Sequence, residues 1–423
     1  MTVSPLSRRS LVLAAPAGAA ALALAACGQT AQPSAQSLPP TTIEYAYNSG
    51  TGALAEARAA GIPKFMAKFP NITVNQVPGQ PEAVVLEKFK AAAAAGTPPD
   101  VISLNANVYG DLVGSKFITP LDDLIKSRST GFSRDAFHAE PLNAMTIDGK
   151  LYGIPRFVTT MLLFYNKDLF QRAGIAEPNE NWTYDKEFVD ASQRLATLLA
   201  GEQGFPFLYS NDLRNTAVYS WGGEFFDKPG KKSLLDQPAA ISALEAVHGY
   251  RFRQRFAPAP GQEAGATFAN GRVAMSVTGS FTYTTLTTVS FKPGVALMPK
   301  GPGGRRTWGN ATGYSIADGS KKKEASWEFV KWLVGDGGQE HLASTEATTP
   351  ATKKVYPPAG VPADVTKVFF DALKTGVFFP PLKNFTEINN QITAELNQAL
   401  NDNARSVRDS AIAATAAANR LLA

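Results

Sequence analysis

Apolar and polar residues alternate where the folded chain begins, and this pattern predicts a strand followed by a helix. Ile43, Tyr45 and Tyr47 are separated by mostly polar neighbours, which is the two-residue period of a half-buried strand. Residues 48–52 contain two glycines that interrupt the strand, and residues 53–60 are rich in helix-forming alanine. The segment therefore predicts a strand, a loop and a helix in that order.

The same order of elements recurs along the chain. The pattern predicts strands at residues 72–77, 100–104, 161–165, 272–278 and 295–299, and helices at residues 81–95, 323–334 and 387–400. Apolar residues at helical spacing are expected to face inward, namely Val84, Val85, Leu86, Phe89, Ala325, Phe329, Trp332, Leu333, Ile388, Ile392, Leu396 and Leu400. Strands that alternate with helices indicate an α/β fold in which helices cover both faces of a parallel sheet.

Residues 148–155 interrupt this regular pattern. The segment Asp-Gly-Lys-Leu-Tyr-Gly-Ile-Pro contains two glycines and a proline, which oppose regular structure. The alternation of strands and helices starts again at Met161, so we expect the chain to cross between two domains here. Residues 301–304, Gly-Pro-Gly-Gly, predict a loop.

The first 26 residues predict an export signal. Arg8 and Arg9 precede the apolar residues 11–26, and no acidic residue accompanies them. Leu24-Ala25-Ala26-Cys27 resembles a lipobox, after which a cysteine is lipidated and becomes the first residue of the mature protein. The arginine pair also resembles a twin-arginine signal, so the Tat and Sec routes both remain open. A membrane-spanning anchor is the alternative, but the apolar run is shorter than the roughly 20 residues that a span needs.

Cys27 is the only cysteine in the sequence, which excludes a disulfide framework and a cysteine nucleophile in the folded domains. Its predicted role is to anchor the protein by lipid to the cell membrane, in the periplasm or on the outer face of the cytoplasmic membrane. Residues 27–40 are rich in Gln, Ala, Ser and Pro and predict a flexible tether. The roughly 380 residues that follow are enough for two domains.

The charge balance indicates no nucleic-acid partner. Removal of the signal deletes two of the 41 basic residues and none of the 36 acidic residues, which leaves the mature chain close to neutral. His138, His248 and His341 are far apart in sequence and predict no metal cluster. We also expect no cofactor.

A dinucleotide-dependent enzyme and a glycoside hydrolase are the two enzymatic alternatives. Gly50-Thr51-Gly52, followed by Ala55, mimics a dinucleotide-binding fingerprint, but the second strand ends without the acidic residue that would hold a ribose. A glycoside hydrolase needs two positioned carboxylates, and the many Asp and Glu residues leave that alternative open. The sequence contains no G-x-S-x-G, H-E-x-x-H or P-loop motif.

The order of several segments resembles the family 1 extracellular solute-binding proteins of ABC importers, the group that includes the maltose-binding protein. These segments are residues 98–122, 148–170, 268–280 and 321–342, with the motifs Pro-Pro-Asp-Val-Ile, Asp-Gly-Lys-Leu-Tyr-Gly-Ile-Pro, Asn-Gly-Arg-Val-Ala-Met and Trp-Glu-Phe-Val-Lys-Trp-Leu. Each motif alone is degenerate, whereas their common order, over about residues 41–421, is specific.

This resemblance implies a two-lobed periplasmic-binding-protein-like fold of type II, with the ligand cleft between the lobes and hinge crossings that join them. Residues 41–157 and 313–347 would form lobe 1, and residues 160–308 and 353–423 would form lobe 2. The protein would be a monomer and not an enzyme. It would bind a sugar or oligosaccharide by hinge closure and deliver it to ABC permease subunits in the membrane. A peptide, a polyamine or a glycerol-phosphate-type solute is the alternative, and a secreted glycoside hydrolase is a further one.

Candidate ligand-binding residues come from strand ends and from the resemblance. Open α/β sheets bind ligands beyond the carboxyl ends of their strands, which selects Asn48, Ser49, Asn105, Asn107 and Tyr109. The resemblance adds Arg156, Asn211, Asp212, Trp221, Gly279, Ser280, Phe281, Trp308, Tyr314, Asn384 and Phe385. Amides bind sugar hydroxyls and aromatic rings stack on the C–H faces of sugars, and Phe281 is the expected stacking ring. Turn formation by the asparagines and core packing by the aromatic residues are the alternatives.

Overall fold

The computed structural model describes residues 38–48, 59–263, 265–346 and 348–423, without the side chains of residues 48 and 78–80. The predicted signal, Cys27, Ser49 and most of the helix predicted at residues 53–60 lie outside the described residues. In the described ranges, no helix combines the length and the apolar character needed to span a membrane.

The helices and strands follow the order that the sequence pattern predicts. The strands are β1 Thr41–Asn48, β2 Ile72–Gln80, β3 Val101–Asn105, β4 Thr146–Ile147, β5 Lys150–Leu151, β6 Ile154–Asn166, β7 Phe205–Phe207, β8 Val273–Gly279, β9 Pro293–Ala296, β10 Thr307–Ile316, β11 Thr349–Pro350 and β12 Gly376–Phe378. The helices are α1 Ile62–Lys68, α2 Glu82–Ala94, α3 Tyr109–Gly114, α4 Asp122–Ser127, α5 Ala139–Asn143, α6 Lys167–Arg172, α7 Val189–Leu199, α8 Asn211–Ser220, α9 Pro238–Phe252, α10 Lys323–Val334, α11 Asp336–Thr345, α12 Ala363–Leu373, α13 Phe385–Leu400 and α14 Val407–Leu422.

One mixed sheet contains the long strands, in the order β2-β1-β3-β10-β6-β8-β7. Strand β1 is parallel to β2 and β3, and β7 is parallel to β8. Strand β10, however, runs antiparallel to both β3 and β6, and β6 runs antiparallel to β8. The prediction of a purely parallel sheet is therefore wrong, because β6 and β10 run against their neighbours.

Strand β6 extends through two hydrophobic cores. Its first half pairs with β10 and places Ile154 and Val158 in a core with β1 and β3. Its second half pairs with β8 and β9 and places Met161 and Leu163 in another core. We call the part of the chain around the first of these cores lobe 1 and the part around the other cores lobe 2. The residue boundaries given above for the two lobes stay a prediction.

The segment before β6 is more regular than the sequence suggested. Residues 148–155 were expected to be irregular, but β4 and β5 pair as a short hairpin and β6 already begins at Ile154. Asp148 and Gly149 have φ angles of 49° and 75°, as in the type I′ turn that an Asp-Gly pair favours between two strands. The Asp-Gly pair was the signal for this hairpin.

Helix α10 covers the sheet of lobe 1. Its residue Phe329 is buried as predicted, with its ring 5.2 Å from Tyr45 and 4.9 Å from Phe65. In α2, Val85 is buried but Val84 is 38% exposed. The inward orientation predicted for Val84 is wrong, because Val85, Leu86 and Phe89 form the buried face of the helix. At about 100° per residue, Val84 lies on the side of the helix roughly opposite Leu86.

Lobe 2 adds a helical core to its part of the sheet. Helix α13 contributes the four apolar residues predicted from their spacing, and all are buried: Ile388, Ile392, Leu396 and Leu400. They pack with residues of α8, α9 and α14. A helix that repeats large apolar residues every four positions presents one continuous stripe, which it buries against its neighbours.

The described chain begins in contact with lobe 1. Leu38 packs against the core of that lobe, and its carbonyl accepts a hydrogen bond of 2.9 Å from the Asn71 side chain. Leu38 is one of the last residues of the predicted flexible tether, 27–40, and the bounds of that tether stay a prediction.

Candidate functional site

The carboxyl ends of the parallel strands form two edges that face each other along β6. In lobe 1, Asn105 at the end of β3 lies opposite Thr312, which in turn lies opposite Phe157 of β6. In lobe 2, Gly279 at the end of β8 lies opposite Met161 of β6. A strand rises about 3.3 Å per residue, so the four residues from Phe157 to Met161 separate the edges by about 13 Å. A ligand that contacted both edges would have to span about this distance.

On the lobe 1 edge, the side-chain amide of Asn105 forms hydrogen bonds with other residues of the protein. Its Nδ2 donates to Glu82, the first residue of α2, and its Oδ1 accepts a hydrogen bond of 2.6 Å from the Thr312 hydroxyl. The buried Oδ1 of Asn107 has no partner among the described residues. Buried polar atoms are nearly always hydrogen-bonded, so the Oδ1 of Asn107 is an acceptor that still needs a donor, and a ligand contact at Asn107 stays a prediction. The Asn105 side chain instead bonds to the protein.

Other lobe 1 candidates lie deeper or outside the described part. Tyr109 is buried in the core against Gly153, and burial raises the pKa of its hydroxyl. Tyr314 is buried as well, with its ring 6.2 Å from that of Tyr45. Asn48 ends β1 at the same edge as Asn105, and Ser49 is outside the described residues. Ligand contacts of these residues stay predictions.

On the lobe 2 edge, Gly279 brings two side chains together. A Cβ atom on Gly279 would lie 2.3 Å from the Thr159 methyl group and 2.6 Å from the Phe281 ring. The Phe281 ring is 48% exposed, and the buried Ser280 hydroxyl has no partner among the described residues. Thr159 was not among the predicted residues, and only the recognition of β6 as a strand through the crossing would have identified it.

Asn211 and Asp212 begin α8 on the same edge. The hydroxyl of Ser210, the residue before them, accepts a hydrogen bond of 3.1 Å from the Leu213 amide and so caps the helix. The pKa of Asp212 is raised from 3.8 to about 6. Burial is the main cause, because it disfavours the charged carboxylate, and the nearby Arg214 offsets only part of it.

Replacement of this carboxylate should change the pH dependence of stability. The folded protein holds the Asp212 proton more tightly than the unfolded chain, so the parent protein loses stability as the pH rises from about 4 to about 6. Asp212→Asn should therefore raise the free energy of unfolding by about 1 to 2 kcal/mol at neutral pH and lose this advantage near pH 4. Urea unfolding at both pH values measures the difference.

The control for Asp212→Asn is Asp123→Asn. Asp123 also lies in the first turn of a helix, α4, but its side chain is exposed. The Asp123 variant should show no comparable gain at neutral pH. Equal effects of the two substitutions would contradict the assignment of the Asp212 shift to burial.

Some of the remaining lobe 2 candidates pack inside the lobe, and the others lie at the start of α13. Trp221 packs 5.0 Å from Tyr184, and Trp308 packs 5.8 Å from Phe379. The indole nitrogen of Trp308 is buried and has no partner in the described part of the chain. Asn384 has a φ of 60° and immediately precedes α13, which starts at Phe385. Ligand contacts of these residues also stay predictions.

The two lobes touch at the mouth of the cleft. Gly110 of α3 lies against the backbone of Leu382. The next residue, Asp111, accepts a hydrogen bond of 3.2 Å from the amide of Phe385. Because Leu112 belongs to the lobe 1 core and Leu382 to the helical core of lobe 2, these contacts exist only while the lobes are close.

A groove lies on the opposite face of the crossing. Successive strand residues point to opposite faces, so Val158 and Thr160 point away from Thr159. Val158 lines a cavity of about 340 Å³, and a neighbouring cavity of about 690 Å³ shares Gly376 with it. The larger cavity is lined by both lobes, including Glu140, Asn143, Tyr219, Arg306, Phe378 and Phe379. The interlobe space therefore has two sides, and the strand-end residues occupy only one of them.

No three His, Cys, Asp or Glu side chains in the described ranges come together in a way that could hold a metal ion. The residues at the strand ends include the exposed Phe281, amide and hydroxyl groups and one carboxylate. Such groups recognise a neutral polar ligand through hydrogen bonds and ring contacts.

Comparisons with known proteins agree with this architecture. Residues 48–340 match the family described as bacterial extracellular solute-binding protein. A binding protein of Brucella abortus is 29% identical over 305 residues, which cover 69% of this chain and 71% of the relative. The galactooligosaccharide-binding protein of Bacillus subtilis is 24% identical over 390 residues, which cover 88% of this chain and 87% of the relative.

A solved structure supports the same fold. The ABC substrate-binding protein from Listeria monocytogenes in complex with cycloalternan superposes with a TM-score of 0.81 at 22% identity, over 90% of this chain and 98% of that one. The prediction of a two-lobed α/β fold of the periplasmic-binding-protein type is confirmed.

Proposed function

Because the chain belongs to the bacterial extracellular solute-binding protein family, we propose that it binds a sugar or oligosaccharide and delivers it to the permease subunits of an ABC importer. The family acts outside the cytoplasm, and its members are binding proteins and not enzymes. The observation that carries the proposal is the exposed ring of Phe281, which stands at a strand-end edge beside hydrogen-bonding groups.

The chemistry of the cleft suits a carbohydrate. A sugar presents hydroxyl groups that both donate and accept hydrogen bonds, together with flat C–H faces. Phe281 supplies a ring for such a face, while Asn107, Ser280 and Asp212 supply acceptors and a hydroxyl donor. The similarity to a galactooligosaccharide-binding protein and to a cycloalternan complex supports the same ligand class.

The proposed mechanism is hinge closure. A ligand that contacts both edges stabilises the arrangement in which Asp111 reaches Phe385 across the mouth. Ligand binding therefore shifts the population toward the closed form, since only that form offers contacts from both lobes. The closed form then docks on the permease as a monomer.

We infer that lipid attachment at Cys27 keeps the receptor at the membrane. The support is the lipobox-like sequence and the polar residues that follow it. A short flexible tether raises the effective concentration of the receptor near its permease without a tight contact between them.

The proposal is tested by thermal unfolding with a panel of galactooligosaccharides, maltooligosaccharides and cycloalternan. A true ligand at about 100 times its Kd should add about 2.7 kcal/mol to the free energy of unfolding and raise the Tm. Isothermal titration then gives the Kd. Stabilisation by a peptide or a polyamine, with none by any sugar, would contradict the ligand class, and release of hydrolysed sugar at catalytic rates would contradict the binding role.

A further inference from the structure

Arg156 is the extra residue of a β-bulge where β6 leaves lobe 1. The residues that precede and follow it lie opposite consecutive residues of β10, Gly313 and Thr312, so Arg156 itself has no opposite residue. Its carbonyl accepts a hydrogen bond of 3.2 Å from the side chain of Gln339 in α11. The bulge is therefore attached to a helix of lobe 1.

The side chain of Arg156 has a partner in the protein. Its guanidinium pairs with Glu346, and the two side chains are only 4% and 3% exposed. The guanidinium also lies 5.0 Å from the centre of the Phe157 ring. Burial, the largest single influence, would lower the pKa of Arg156, but Glu346, Tyr314 and Tyr45 together outweigh it and raise the pKa. The guanidinium is thus charged inside lobe 1.

The partner lies on the segment that follows α11 within lobe 1, since Ala351 belongs to the lobe 1 core. Glu346 directly follows α11 and precedes β11, whose residues Thr349 and Pro350 lie opposite Val158 and Phe157 of β6. The ion pair therefore joins the start of β6 to the segment between α11 and β11.

Stability alone gives little reason to keep such a pair. Burying two charges costs several kcal/mol per ion, and apolar residues of similar volume are often as stable or more so. A buried pair with precise partners does, however, restrict the positions of the segments that carry it.

We propose that Arg156 is a positioning residue of the hinge and not a ligand contact. With Glu346 and Gln339 it holds the start of β6 to lobe 1, so that bending is confined to the residues beyond Phe157. The proposal rests on the hinge closure described above, and it gives Arg156 a role that is independent of which solute is bound.

The test measures distances between the lobes without ligand. Spin labels on Lys88→Cys in lobe 1 and Arg408→Cys in lobe 2, both exposed positions, report the distance by pulsed electron resonance in a Cys27→Ala background. The double variant Arg156→Met, Glu346→Leu removes both charges at similar volume. We expect a broader distribution of distances than in the labelled parent. A folded double variant with the parent distribution would overturn the proposal.

A second pair of variants provides the test if the double variant does not fold. Glu346→Gln keeps the shape of the side chain and breaks the charge pair, and it should also broaden the distribution. Glu328→Gln is the matched control, because Glu328 is buried beside Arg128 inside lobe 1, away from the crossings. The control should lower the Tm and keep the parent distribution. Equal distributions in the two Gln variants would overturn the proposal, whatever the solute proves to be.

Discussion

Gly110→Ala should weaken ligand binding about 10- to 100-fold while both lobes remain folded. A Cβ atom at this position would lie 2.0 Å from the carbonyl oxygen of Leu382 and 2.3 Å from its carbon. These are backbone atoms, so the overlap is relieved only when the lobes move apart. Steric overlap in a packed site costs about 1–3 kcal/mol, and each 1.4 kcal/mol is a factor of ten in the Kd.

The open form should tolerate the same substitution. Gly110 lies in α3 and does not have a positive φ angle, and alanine is the better helix former by about 1 kcal/mol. The penalty therefore falls on the closed form alone. Titration of Gly110→Ala and the parent with the identified ligand gives the ratio of Kd values, and thermal unfolding without ligand shows that the variant is folded.

Gly114→Ala is the matched control for this prediction. It lies on the same short helix, and its Cβ atom would approach only the side-chain carbons of Lys383, at 3.5 Å or more. This is an ordinary van der Waals distance, so the Kd should stay within about twofold of the parent value. Equal losses of affinity in the two variants, or none in either, would contradict closure through the contact of Gly110 with Leu382.

Phe281→Ala should weaken carbohydrate binding about 5- to 30-fold with almost no change in Tm. Phe281 is 48% exposed, so removal of its ring leaves no large cavity. A stacked ligand would cover that exposed face, and loss of the contact should cost about 1 to 2 kcal/mol of binding free energy. Titration with the ligand found in the screen measures the loss.

Two further variants separate stacking from general effects. Phe281→Tyr keeps a flat ring and should retain most of the affinity. Ile412→Ala removes another apolar side chain of similar exposure, 49%, from α14, and should leave the Kd unchanged. A Kd for Phe281→Ala that equals that of Ile412→Ala would exclude Phe281 as the stacking ring.

Local patterns in the sequence were sufficient for some of the elements, but they did not predict β10, α8 or α9. The alternation at Ile43 to Tyr47 predicted β1, and the apolar spacing from Ile388 to Leu400 predicted α13 with all four inward residues. The Asp148-Gly149 turn was equally local, although it was interpreted as irregular structure. Periodicity works here because it depends on the geometry of one element and on the burial of one face.

The partners of individual side chains in the cleft depend on contacts that no local pattern contains. Asn105 and Arg156 were both expected to face a ligand, but Asn105 binds Glu82 and Thr312 while Arg156 pairs with Glu346, 190 residues later in the chain. The sequence around an asparagine or an arginine does not show whether its side chain binds another part of the protein or a ligand. Only the packing of distant segments distinguishes the two cases.

The two-lobed fold and the solute-binding protein family could therefore be predicted from the order of the segments, because that order is a property of the sequence alone. The long strand β6 through both cores, the place of Thr159 beside Phe281 and the contact of Gly110 with Leu382 required the folded chain. Each of these features joins residues that are far apart in sequence, and their distances are set by how the sheet and the two lobes pack.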